Sequence, residues 1–169
     1  KEFENDLSIT EDQYLEMIEK KTGSLLGACA ALSATLVGAE QEVINYFDQF
    51  GRALGNGFQI HDDLLEIYGN PNEMGKSLGS DIAEGKQTMM VIKARNLFGK
   101  EWGEIIGDPN RIDFMDKIRS FFTENGIENE TKGLAQTYFD LARNSLEKID
   151  GINCSELFDF VNLVETRSY

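Results

Sequence analysis

Gly55-Asn56-Gly57-Phe58-Gln59-Ile60-His61-Asp62-Asp63-Leu64-Leu65-Glu66 is the stretch that decides the fold. Gln59, Asp62, Asp63 and Glu66 follow one another at steps of three, one and three, so a helix gathers them on one face. Phe58, Ile60, Leu64, Leu65 and Ile67 around them favour burial. Acids clustered on a largely buried helix repel one another and are costly to desolvate. A divalent cation removes both penalties. The donors on offer are oxygens, with no Cys nearby and one adjacent His, His61. Such a set suits Mg²⁺, with Mn²⁺ or Ca²⁺ as alternatives. Mg²⁺ usually takes one or two carboxylates and completes its shell with water and substrate phosphate. The cluster therefore reads as half a site that awaits a diphosphate. On spacing alone, a solvated acidic stripe is an equal alternative.

Outward from this stretch the chain reads as helices throughout. Ser8-Ile9-Thr10-Glu11-Asp12-Gln13 offers two overlapping capping boxes, Ser8 with Glu11 and Thr10 with Gln13. A helix is expected over residues 11–37, with Tyr14, Leu15, Ile18, Thr22, Leu25, Leu26, Cys29, Leu32 and Leu36 at helical period. A second is expected over residues 40–68. Gly51, Gly55 and Gly57 weaken it intrinsically, which points to close backbone approach. Gly69-Asn70-Pro71-Asn72 ends it, and residues 69–80 read as a loop. A third helix is expected to start within residues 81–86 and run on through Met89, Met90, Ile92, Ala94 and Leu97. Residues 113–123, 128–149 and 155–166 carry helical apolar spacing, separated by Asn125-Gly126 and Asp150-Gly151, and read as scaffold. No strand-like alternation and no internal repeat is visible. The fold class is all-α, an antiparallel helical bundle.

Composition narrows the function without naming it. The 169 residues suffice for one domain with a real core. A net charge of −14 argues against nucleic acid and anionic membrane surfaces as partners. It does not argue against an anionic substrate held by local lysines and metal. Cys29 and Cys154 stand alone, so no disulfide framework is implied and a cytoplasmic location is expected. No apolar run reaches membrane-spanning length and no signal peptide is visible. The chain opens on Lys1 rather than Met, and an upstream part is expected.

Two further segments carry chemistry. Upstream lies Ile18-Glu19-Lys20-Lys21-Thr22-Gly23-Ser24-Leu25, and downstream Met74-Gly75-Lys76-Ser77-Leu78-Gly79-Ser80-Asp81-Ile82-Ala83-Glu84-Gly85-Lys86-Gln87-Thr88. With the central stretch, these resemble the C-terminal half of the trans-isoprenyl diphosphate synthases, the polyprenyl synthetase family. That family's order is a Lys-Thr-Gly helix, Phe-Gln-x-x-Asp-Asp-x-x-Asp, Gly-Lys-x-x-Gly-x-Asp and Gly-Lys-x-Thr. All of these occur here in order between Lys20 and Thr88, except that Glu66 stands where an aspartate is typical. The resemblance implies a helical isoprenoid-synthase bundle lacking its N-terminal helices, with residues 1–169 as the C-terminal portion of one prenyltransferase domain.

It also implies a reaction and roles. An allylic diphosphate ionises with Mg²⁺ assistance, isopentenyl diphosphate attacks, and a longer prenyl diphosphate forms. Asp62, Asp63 and Glu66 would take metal, Glu66 directly or through water. Lys21, Lys76 and Lys86 would bind diphosphate as mobile point charges. Thr22 and Gln59 would turn oxygen dipoles toward the carbocation, and could equally be a hydrogen-bonded pair joining two helices. Asp81 would orient Lys76 or cap the third helix, with a water-mediated metal contact as a further option. His61 reads as structural, Phe58 as core, Thr88 as packing or a helix-start contact, and Lys20 as surface. Arg167 lies in a segment only weakly similar to the family's last helix.

The family's other aspartate-rich motif and the arginine pair that follows it do not occur in these 169 residues. The chain is thus expected to supply half of an active site and to be inactive alone, with the full protein a homodimer. The competing reading is a non-catalytic regulatory or dimerisation subunit. A class I terpene cyclase would share acid-rich helices and Mg²⁺, but the Gly-Lys-x-x-Gly-x-Asp segment argues against it.

Overall fold

A computed structural model of the chain describes residues 6–69 and 79–167. Its regular elements there are all helical: α1 (Glu11–Ile18), a π-helical turn (Glu19–Gly23), α2 (Ser24–Leu36), α3 (Gln41–Tyr68), α4 (Ser80–Ala83), α5 (Met89–Ile106), α6 (Phe114–Glu124), α7 (Ile127–Glu147) and α8 (Ser155–Thr166). The all-α expectation holds.

Two compact units are distinguished. One joins the residues up to Tyr14 with residues 62–132. Its core contains Tyr14, Leu64, Ile67, Met89, Met90, Ile92, Trp102, Ile118 and Phe122, with Trp102 stacked on Phe122 at 5.2 Å between centroids. The other joins residues 15–61 with residues 133–167. It buries Ile18, Phe50, Leu54, Ile60, Phe139, Ala142, Leu146 and Val161. The continuous helix α3 contributes residues to both.

The second unit explains the helical glycines. A Cβ on Gly51 would lie 2.6 Å from the Gly27 backbone nitrogen, and one on Gly55 would lie 2.8 Å from the Gly23 Cα. A Cβ on Gly57 would lie 2.9 Å from the Phe139 ring. Each helix glycine costs about 1 kcal/mol against Ala. Full burial of one Phe or Ile returns about 1.5–3 kcal/mol, so close packing outweighs the propensity loss.

Several boundaries differ from the sequence reading. Of the two capping boxes, only Thr10 with Gln13 closes: Thr10 N–H donates to Gln13 Oε1 at 2.9 Å and Gln13 N–H to Thr10 Oγ1 at 3.2 Å. Ser8 bonds to Asp6 instead, with backbone N–H and hydroxyl both donating to its carboxylate. The expected helix over residues 11–37 is interrupted by the π-turn at the Lys-Lys-Thr-Gly segment. The expected third helix is two: α4 ends at Ala83 with Glu84 as its C-cap, Gly85 follows at a φ of 76° that suits glycine, and α5 starts afresh behind Thr88.

Candidate functional site

The residues singled out in the sequence are presented by three local structures. The first is the π-turn. Ser24 N–H reaches five residues back to Glu19 O, the wider spacing that defines the turn, and the Ser24 hydroxyl donates to the same oxygen at 3.0 Å. Lys21 is exposed on this turn and Thr22 is half-buried. Gln59, in the same unit, is buried on α3. Among the described residues no hydrogen bond joins Thr22 to Gln59, so the alternative of a bonded pair linking two helices is not realised.

The second is the acidic turn of α3. Asp62 is exposed and Asp63 half-buried. The Tyr14 hydroxyl donates to Asp63 Oδ2 at 2.7 Å. Tyr14 is 1% exposed, so its ring is fixed by packing and its phenol holds the carboxylate in one orientation. Tyr14 was read only as an apolar helix position. A buried tyrosine that needs a partner for its hydroxyl was the available signal.

Glu66 differs from its two acidic neighbours in its surroundings. It is buried, and its Oε1 accepts from the Ser80 hydroxyl at 3.1 Å and from the Asp81 backbone N–H at 3.0 Å. Its carboxylate therefore satisfies the otherwise open amide end of α4. Among the described residues no three His, Cys, Asp or Glu side chains form a group that could hold a metal ion, and Glu66 Oε1 is engaged within the protein. Asp62 and Asp63 remain, and two hard carboxylates match what Mg²⁺ ordinarily takes from protein. The donor chemistry fits that ion.

The third is the segment from Ser80 to Thr88. Asp81 pairs with Lys86, whose ammonium also lies 3.1 Å from Glu84. The Asp81 hydrogen bond, then that of Glu84, holds the Lys86 ammonium well above the usual lysine range against the opposing effect of burial. Asp81 was expected to orient Lys76 or cap a helix; it holds Lys86. Lys76 lies outside the described residues. Thr88 is the N-cap of α5, its hydroxyl oxygen accepting from Val91 N–H at 3.5 Å. Lys20 is on the surface, paired with Glu16.

Two readings near α3 change. His61 is structural as expected: its Nε2–H donates to the Arg167 carbonyl at 3.2 Å, and its ring meets Phe139 edge-on. Phe58 was read as core, yet it is half-buried, with the Arg167 guanidinium 4.0 Å from its ring centroid. The basic tip of Arg167 gave that weakly matching segment a use that its sequence did not announce.

The family model described as polyprenyl synthetase matches residues 1–120. The chain belongs to the polyprenyl synthetase family. Among its relatives, the short chain isoprenyl diphosphate synthase of Methanothermobacter thermautotrophicus is 46% identical over 167 residues, which cover 94% of this chain and 51% of the relative. A solved structure of a decaprenyl diphosphate synthase from Rhodobacter capsulatus superposes with a TM-score of 0.85 at 30% identity, covering 99% of this chain and 54% of that one. A polyprenyl synthase from Caulobacter crescentus, complexed with calcium and isoprenyl diphosphate, gives 0.84 at 26% identity, covering 99% and 53%. The chain thus spans about half the length of these polyprenyl synthetase relatives.

Proposed function

We propose that this chain is the C-terminal portion of a prenyltransferase domain that condenses isopentenyl diphosphate with an allylic diphosphate to give a longer prenyl diphosphate. The observation that carries the reading is the acidic turn of α3, where exposed Asp62 adjoins Asp63, itself oriented by buried Tyr14. Family membership supports it, as does the complex of the Caulobacter relative with calcium and isoprenyl diphosphate.

In the reaction, the allylic carbon–oxygen bond breaks and its electrons leave with diphosphate. The alkene of isopentenyl diphosphate then attacks the carbocation, and a proton is lost as a new double bond forms. Asp62 and Asp63 would hold Mg²⁺, which when bound supplies the positive charge that makes diphosphate a good leaving group. Lys21, Lys86 and Lys76 would bind diphosphate oxygens as point charges. Asp81 and Glu84 hold the Lys86 ammonium in place. Thr22 and Gln59 would present neutral oxygen dipoles to the carbocation, which stabilise it without the capture a carboxylate risks. Glu66 and Asp81 act through others. On this reading the full protein is a cytoplasmic homodimer, and this chain alone does not turn over.

The test is product formation by a full-length protein carrying this sequence, given isopentenyl diphosphate, an allylic primer and Mg²⁺. Chain-lengthened diphosphates should appear only with the metal. Asp62→Ala should lower turnover by roughly 10²-fold or more, as loss of a preorganised electrostatic group does. Turnover like that of the unaltered protein would refute the metal role. The inward Glu66 is the one observation that favours a non-catalytic regulatory or dimerisation subunit instead. Absence of any product from the full-length protein would support that alternative.

A further inference from the structure

The π-turn is anchored through its first residue. Glu19 O is the acceptor that closes the turn. The Glu19 side chain is held from α3: Arg52 pairs with Oε1, and Asn56 Nδ2 donates to Oε2 at 2.8 Å. Arg52 is in turn steadied by Asp48, Nε to Oδ2 at 2.7 Å. At the other end of the turn, Gly23 packs directly on Gly55.

Asn56 gives the arrangement direction. It is 7% exposed, and because its amide nitrogen serves Glu19, its Oδ1 is buried with no hydrogen-bond partner. A Cβ on Gly23 would stand 2.7 Å from that oxygen. An apolar residue at position 56 would avoid the uncompensated oxygen. What the asparagine provides is a fixed grip on Glu19. π-turns concentrate at functional sites, where they re-aim side chains, and this one carries Lys21 and Thr22.

We propose that Glu19, Asn56 and Arg52 are positioning residues, a clamp from α3 that keeps residues 19–23 in the π conformation and so aims Lys21 and Thr22. The inference rests on the roles given to Lys21 and Thr22 above. Glu19 and Asn56 act through the turn.

The experiment pairs a local structural readout with a binding readout on the 169-residue chain. Asn56→Asp sets two carboxylates against each other. The Glu19→Gln/Asn56→Asp double variant restores the hydrogen bond with its direction reversed. Amide hydrogen exchange at Ser24, whose N–H closes the turn, should speed up at least tenfold in Asn56→Asp and recover in the double variant. Amides at residues 92–97, inside α5, should keep their protection, which shows that the fold persists. Pyrophosphate affinity in the presence of Mg²⁺, by titration calorimetry, should fall severalfold in Asn56→Asp, recover in the double variant, and fall in Lys21→Ala. Combining Asn56→Asp with Lys21→Ala should weaken binding no further than Lys21→Ala alone.

Unchanged Ser24 exchange in Asn56→Asp overturns the clamp. So does unchanged affinity in that variant when Lys21→Ala weakens binding. If Asn56→Asp unfolds the chain, Glu19→Gln decides by the same two readouts: its single amide oxygen cannot accept from both Arg52 and Asn56, so Ser24 exchange should speed up and affinity should fall. If Lys21→Ala leaves affinity intact, the diphosphate role of Lys21 fails, while the exchange data still judge the clamp.

Discussion

Asp62, Asp63 and Glu66 fall within five residues of one helix, yet they meet different surroundings. Spacing placed them on one face. What separated them was the partner each found: Tyr14 for Asp63, and the amide end of α4 for Glu66. Neither partner is close in sequence, since Tyr14 is 49 residues from Asp63, so neither was legible from the motif. Tyr14→Phe removes only the hydroxyl. It should cost about 0.5–1.5 kcal/mol in chemical denaturation, the usual worth of one hydrogen bond, and should weaken Mg²⁺-dependent pyrophosphate binding by removing one restraint on Asp63.

Lys86 yields a pH prediction at the same scale. Its folded pKa lies above the ordinary value of 10.5, so its pairing with Asp81 contributes fully below that value and is lost as pH rises through the folded pKa. The stability difference between wild type and Lys86→Gln should stay constant across neutral pH and begin to close only in strongly alkaline solution. A difference that closed near pH 7 would contradict the pairing. The two thiols differ as well. Cys29 is exposed, whereas Cys154 is buried and desolvation pushes its thiol up. A disulfide reagent should label Cys29 rapidly and Cys154 only on unfolding.

Among the elements, α3, α6 and α8 fall within a residue or two of their sequence-based bounds, because the apolar period and the flanking Gly-Asn-Pro, Asn-Gly or Asp-Gly breaks agreed there. The close approach inferred from Gly51, Gly55 and Gly57 is also found. The π-turn was not legible, since a helix that gains a residue keeps its apolar period on either side and hides the seam. The break between α4 and α5 could have been read from Gly85 followed by Thr88, a stop and then a cap. Helical glycines provide a contrast in sign. Gly51→Ala should destabilise by about 1–3 kcal/mol through overpacking, since its Cβ would sit 2.6 Å from the Gly27 backbone nitrogen. Gly133→Ala, in α7 with nothing within 4 Å of its Cβ, should stabilise by about 0.5–1 kcal/mol. Urea denaturation of both variants checks the contrast.

For the molecule as a whole, composition excluded more than it identified. The net charge of −14 coexists with lysines in each of the three sequence motifs that flank or follow the acidic turn. The family was legible because four short motifs keep their order, and the model match over residues 1–120 agrees. Beyond residue 120 the helices carry packing and little chemistry, apart from Arg167 over Phe58. Among the described residues no helix is long and apolar enough to cross a membrane.

The central claim is that the acidic turn at Asp62 binds diphosphate through a divalent cation. Titration calorimetry of pyrophosphate into this chain, with Mg²⁺ and again with the metal chelated, tests it most directly. Binding should require Mg²⁺ and should fall at least tenfold in Asp62→Ala. Binding of equal strength without the metal, or untouched by Asp62→Ala, would contradict it.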